Sequence, residues 1–123
     1  MAEPAWLSYE DAANLCDIAD EVMLGGDPVD SWAGVVEAAA EFVEERRPDV
    51  TYTNGTTVGS RVRLGTARLA QRWHERRTSA GFSEFPVDVE RTDPDIAQQL
   101  RIGKWRKFAV GGAAGVAVEE ETP

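Results

Sequence analysis

Apolar residues recur at helical spacings along much of this chain, most clearly in the stretch Thr57 to Ala80, TVGSRVRLGTARLAQRWHERRTSA. Val58, Val62, Leu69 and Trp73 follow one another at steps of four, seven and four, which places them on one face of a 3.6-residue helix. Arg61, Arg68, Arg72 and Arg76 repeat at steps of seven, four and four one face over, as a guanidinium stripe. Gly65, Thr66, Ala67 and Ala70 are small, so a second element can approach closely. Gly59 and Gly65 each weaken the helix by about 1 kcal/mol relative to Ala, so tertiary packing must compensate. The stripe is either the solvated side of a core helix or a surface that meets carboxylates of a neighbouring chain.

Upstream, Ser8 is a good N-cap and Asp11, three residues on, gives a capping-box pattern. Ala12, Leu15 and Cys16 line the apolar side of that first helix, which ends near Ile18 or runs on to Leu24 before Gly25-Gly26 stops it. Asp27-Pro28 reads as an N-cap followed by proline at the first helical position, with Asp30 in the first turn. Trp32, Val35, Val36, Ala39, Phe42 and Val43 then step by three and four, predicting a second helix to about Arg47, ahead of Pro48. Glu37, Glu41, Glu44 and Glu45 cover its other faces. Val50 to Val58, with Asn54-Gly55 between β-branched residues, reads as a small hairpin or an ordered loop.

Downstream of the long helix, Ala80-Gly81 breaks the pattern. Phe82, Phe85, Val87 and Val89 are apolar within an irregular stretch that needs a surface to cover, either its own core or an adjacent subunit. Asp93-Pro94-Asp95 repeats the cap, proline and acid signature and opens a short last helix. Ile96, Leu100 and Ile102 supply its buried face, and Gly103 ends it. Trp105, Arg106, Lys107, Phe108 and Val110 then interleave aromatic, basic and apolar residues without helix period. Such a segment stacks on single-stranded nucleic acid, anchors a protein partner or tucks onto its own core. The predicted architecture is mainly α: a small bundle of about four helices over residues 1–104, with a hairpin or loop insertion. An extended arm and acidic tail follow over residues 105–123.

Charge changes this picture. The net charge of -9 is divided unevenly: residues 1–50 carry a net of -11, residues 51–110 a net of +5 and the last thirteen a net of -3. An acidic front and a basic middle make a polarised subunit suited to packing against copies of itself. The acidic total argues against free duplex-DNA binding, which usually comes with an overall basic domain. No apolar run reaches the ~18 residues of a membrane span. The N-terminus lacks the basic and apolar regions of a secretory signal, which fits synthesis in the cytosol. The one cysteine, Cys16, has no disulfide partner and reads as a small buried hydrophobe.

Little points to catalysis. His74 is the one histidine and has no second ligand at metal spacing. No glycine-rich phosphate loop lies between a strand and a helix, and no nucleophile–histidine–acid set can be argued. No cofactor, metal site or enzymatic activity is expected. A small helical nucleic-acid-binding regulator, using the arginine stripe on phosphates, is the alternative to a purely structural protein.

Four stretches in order carry a resemblance. They are Phe42-Val43-Glu44-Glu45-Arg46-Arg47-Pro48-Asp49, Val62 to Trp73 with Glu75-Arg76-Arg77, the Gly81-Phe82 to Phe85 loop, and Thr92-Asp93-Pro94-Asp95-Ile96 with Leu100 to Trp105. Together they span roughly residues 28 to 110, and the sequence resembles the head-to-tail connector (adaptor) proteins of long-tailed bacteriophages, especially those infecting actinobacteria. The resemblance implies a small helical virion protein, made in the host cytoplasm, that forms a ring of usually twelve copies beneath the portal. Such a ring joins the portal to the next connector or tail-completion protein, and packaged double-stranded DNA passes through without sequence-specific binding. No membrane is involved. Subunit contacts would then pair Arg61, Arg68, Arg72 and Arg76 with a neighbour's Glu37, Glu41, Glu44 and Glu45, with Phe82 and Phe85 also at that interface. Trp105, Arg106, Lys107, Phe108 and Val110 would contact the portal or an adjoining ring.

Overall fold

A computed structural model describes residues 3–77 and 89–103, with the backbone alone described at Arg77 and Glu90. The chain is mainly α, as its periodicity predicts. Helices α1 (Tyr9–Leu15) and α2 (Ala19–Val22) lead into a two-stranded antiparallel hairpin, β1 (Met23–Leu24) and β2 (Asp27–Pro28). Helices α3 (Asp30–Arg46), α4 (Ser60–Arg77), α5 (Val89–Thr92) and α6 (Pro94–Leu100) follow. The long α4 is the hub and packs against α1, α3 and α6.

Ser8 caps α1 as its sequence predicts: its hydroxyl accepts a hydrogen bond from the Asp11 backbone N–H at 3.0 Å. The helix stops at Leu15 because Asp17 turns left-handed, with φ of 59°. Gly25 and Gly26 do more than stop a helix. With φ of 62° and 89° they form the two-residue turn of the hairpin, a geometry that favours glycine at both positions. Asp27-Pro28 is therefore drawn into β2 and does not cap α3. Val29 takes the cap position, and Asp30 sits in the first turn.

The hairpin considered for Val50 to Val58 is an ordered loop. Asn54 folds its side chain back, accepting from the N–H groups of Thr56 (2.8 Å) and Thr57 (3.2 Å), so the backbone turns without forming a ladder. Tyr52 anchors the loop to the end of α3 by donating its hydroxyl proton toward the Arg47 carbonyl at 2.8 Å, with the Val43 carbonyl at 3.3 Å. Burial holds the Tyr52 phenol well above its usual pKa.

Every apolar residue read onto the faces of α3 and α4 is buried: Trp32, Val35, Val36, Ala39, Phe42 and Val43 from α3, and Val58, Val62, Leu69 and Trp73 on or just before α4. Phe42 and Trp73 meet edge to face with centroids 5.8 Å apart. Trp6 and Leu7, ahead of α1, are also fully buried, and Trp6 stacks at a tilt on Tyr52. Two buried indoles have their N–H groups satisfied: Trp32 donates to the Tyr9 carbonyl at 3.0 Å and Trp6 to Glu44 at 2.9 Å. Arg63 ties the N-terminal segment to α4 through the Trp6 carbonyl at 3.3 Å and Asp11 at 3.5 Å.

The small residues of α4 serve the close approach that their size predicts. A Cβ added at Gly65 would lie 2.7 Å from Leu100 Cδ2 and 3.0 Å from Leu100 Cγ. Leu100 is itself fully buried, so it has little room to retreat. Gly65→Ala should therefore destabilise the protein by roughly 1–2 kcal/mol in urea unfolding, even though alanine raises helix propensity by about 1 kcal/mol. A more stable variant would show that α6 does not seat this closely on α4.

Candidate functional site

The arginine stripe of α4 finds its acidic partners in its own chain. Asp93, immediately before α6, has a side chain with no solvent exposure. Its Oδ1 accepts from Arg72 Nη1 at 2.7 Å and also from Arg76 Nη2. Asp95, in the first turn of α6, accepts from Arg72 Nη2 at 2.9 Å and Arg68 Nη2 at 3.0 Å. Arg68 also donates to the Gln99 side-chain oxygen at 2.6 Å, and Arg61 Nε to the Gln99 carbonyl at 2.9 Å. All four guanidinium groups thus grip one short helix. Asp93-Pro94-Asp95 carries the cap signature, yet the Asp93 side chain makes no capping hydrogen bond. The arginines compete for it and win, because a carboxylate left dry needs cationic donors more than a backbone amide needs a cap.

This bears directly on the expected contact between subunits. Arg68, Arg72 and Arg76 already have intrachain carboxylates, so a neighbour's Glu37, Glu41, Glu44 and Glu45 would have to compete with Asp93 and Asp95. The four glutamates are not equivalent either. Glu37 accepts the Tyr9 hydroxyl, and Glu44 accepts the Trp6 indole N–H at 2.9 Å. Burial, reinforced by the hydrogen bond to Glu37, pushes the Tyr9 phenol up to about 12. Glu41 and Glu45 are exposed, alongside Arg46, whose guanidinium lies 4.7 Å from the centre of the Phe42 ring. The remaining expected contacts, Phe82, Phe85, Trp105, Arg106, Lys107, Phe108 and Val110, lie outside the described residues, as does the rest of the extended arm.

Sequence reasoning missed Arg47. Spacing places it only at the end of the second helix; in the structure it is buried and joins three elements. It forms a two-pronged pair with Asp49 at 2.9 and 2.8 Å and donates Nη1 to the Leu100 carbonyl at 2.6 Å. His74 is half-buried, 3.1 Å from the Ser31 hydroxyl and edge-on to Trp32, which is a packing role. Cys16 is half-buried against the core, less than fully enclosed, and burial pushes its thiol up to about 11, away from nucleophile chemistry.

Among the described residues, no group of three or more His, Cys, Asp or Glu is placed to hold a metal ion, and no helix is long and apolar enough to cross a membrane. No family model, curated protein or solved structure matches the chain.

The Arg72 hydrogen bond holds the Asp95 carboxyl below its usual range, outweighing the opposing effect of burial. A lowered carboxyl pKa favours folding above the unfolded value of about 3.9, and that contribution is lost as pH falls through the lower folded value. The Asp95 side chain is half exposed, at 50%, so the effect is screened. Asp95→Asn should cost up to about 1 kcal/mol at neutral pH, with the two proteins converging in stability below the folded pKa. Unfolding titrations between pH 7 and 2 check this; a gap that persists at the acid end would assign the cost to something other than charge.

Proposed function

We propose that this chain is a structural, non-enzymatic virion protein: a head-to-tail adaptor whose copies form a ring beneath the portal, link the capsid vertex to the tail and let double-stranded DNA pass. The observation that carries the reading is the ordered set of four sequence patterns over roughly residues 28 to 110. They fall at the end of α3, in the body of α4, at residues 81–85, which lie outside the described residues, and from Thr92 through α6 onward.

Physical features of the subunit support it. The first fifty residues carry most of the negative charge, and Glu41 and Glu45 on α3 are exposed. A ring whose lumen carries others of these carboxylates would repel phosphate, and a backbone that is not gripped can slide. Packing copies together would draw on the exposed acid of α3 and basic groups outside the α4–α6 seam. The aromatic and basic segment from Trp105 to Val110 would be the portal-facing anchor, since Trp and Arg dominate the centres of protein interfaces.

The test is electron microscopy of the cognate portal mixed with the full chain. The reading predicts a symmetric collar of added density, twelvefold with a twelvefold portal, and its reduction by Trp105→Ala. The paired reversal Glu41→Lys and Glu45→Lys should leave the subunit folded, because both side chains are exposed, while weakening the collar. Portals that stay bare at saturating protein, together with tight and salt-sensitive duplex binding by the free chain, would replace the adaptor with a nucleic-acid-binding regulator.

A further inference from the structure

Where the C-terminal ends of α3 and α6 meet the N-terminal end of α4, a cleft of about 340 Å³ opens. Arg47, Arg61 and Arg101 line it, with Thr51, Thr57 and Gln99. On a chain of net charge -9, three guanidinium groups around one small cavity are an unusual concentration of positive charge. One carboxylate, Asp49, also lines it, but both its oxygens are taken by Arg47. The carbonyls at the end of α6 face the same region, and they too are covered: Gln99 by Arg61 and Leu100 by Arg47. The intrinsic negative groups of the cleft are therefore spent.

Arg101 differs from the other two. It is half-buried, and its guanidinium makes no hydrogen bond or ion pair among the described residues. It also occupies a left-handed backbone position, φ 58° and ψ 54°, at the end of α6, where its N–H closes on the carbonyls of Ala97 and Gln98. Glycine is the usual residue there, and a side chain at such a position costs about 1 kcal/mol. The first turn of α4, which borders the cleft through Gly59, Arg61 and Val62, carries no acidic residue, and Gly59 has no side chain with which to cap it. Positive potential from the helix end thus adds to that of the arginines.

The geometry points to this cleft as a binding site for a compact oxyanion, a carboxylate or a phosphate, with Arg101 as the principal donor and Arg61 and the start of α4 beside it. This is independent of the adaptor reading: the site would serve a free phosphate, or an acidic side chain of whatever protein docks at this end of the bundle. Nucleic acid is disfavoured, because the chain as a whole carries a net charge of -9.

The experiment is an NMR titration of the isotopically labelled full chain at constant ionic strength. One arm uses inorganic phosphate, and the other a blocked hexapeptide of glutamates. Saturable shifts of the Arg101 Nε–H and of the Gly59 to Val62 amides are expected in at least one arm, with chloride at matched ionic strength giving none. Response to phosphate alone assigns a free anion; tighter response to the peptide assigns a protein carboxylate. Arg101→Gly should weaken binding by about tenfold or more while holding or raising the melting temperature, because glycine suits the left-handed position. Arg101→Gln checks that the charge is what matters. No saturable shift in either arm, or shifts that survive unchanged in Arg101→Gly, would overturn the assignment.

Discussion

The buried carboxylate of Asp93 is the constraint around which the bundle is arranged. A charge with no solvent exposure is costly unless cationic donors replace the water, and Arg72 and Arg76 do so from consecutive turns of α4. Their reach fixes where the start of α6 can lie. Gly65 fixes how close its end can come, since Leu100 occupies the space a side chain would need. Charge and packing thus set α6 on α4 at two points, and Arg47 adds a third by bonding the Leu100 carbonyl. The same arrangement leaves Asp93 Oδ2 and Arg76 Nη1 buried without hydrogen-bond partners among the described residues, a cost of about 1–3 kcal/mol each that the rest of the seam must offset.

Much of this was legible in the sequence where one physical requirement acts alone. The periodic faces of α3 and α4 follow from burial, and all their assigned apolar residues are buried. Ser8 caps α1 because nothing else competes for it. Readings departed from the structure where two uses of one residue compete. Asp93 looked like a cap and became a counter-ion. Asp27-Pro28 looked like a helix start, but a Gly-Gly turn two residues earlier favoured a hairpin. Asn54-Gly55 looked like a hairpin turn, but the Asn54 side chain satisfied the local backbone first. Arg47 gave no one-dimensional sign of its tertiary role, because its partner Leu100 lies 53 positions away.

For the candidate site, the residues of the stripe were identifiable but their partners were not. Spacing shows that four arginines share a face; it does not show which carboxylates arrive there. The intrachain answer alters how an assembly of this protein would work. The α4 stripe holds the subunit together, so the chemistry left for a partner would lie elsewhere: in the exposed acid of α3 and in the basic cleft beside Arg101. A subunit with separated acidic and basic features can still pack head to side. It would do so without dismantling its own seam.

The central claim is that Arg72 and Asp93 are partners within one chain. A double-mutant cycle with Arg72→Ala and Asp93→Ala, read by chemical denaturation at two protein concentrations far apart, measures that directly. The structure predicts a coupling of about 1–3 kcal/mol that is the same at both concentrations. Costs that add within about 0.3–0.5 kcal/mol, or a coupling that appears only in the concentrated sample, would contradict it and return the stripe to a neighbouring molecule.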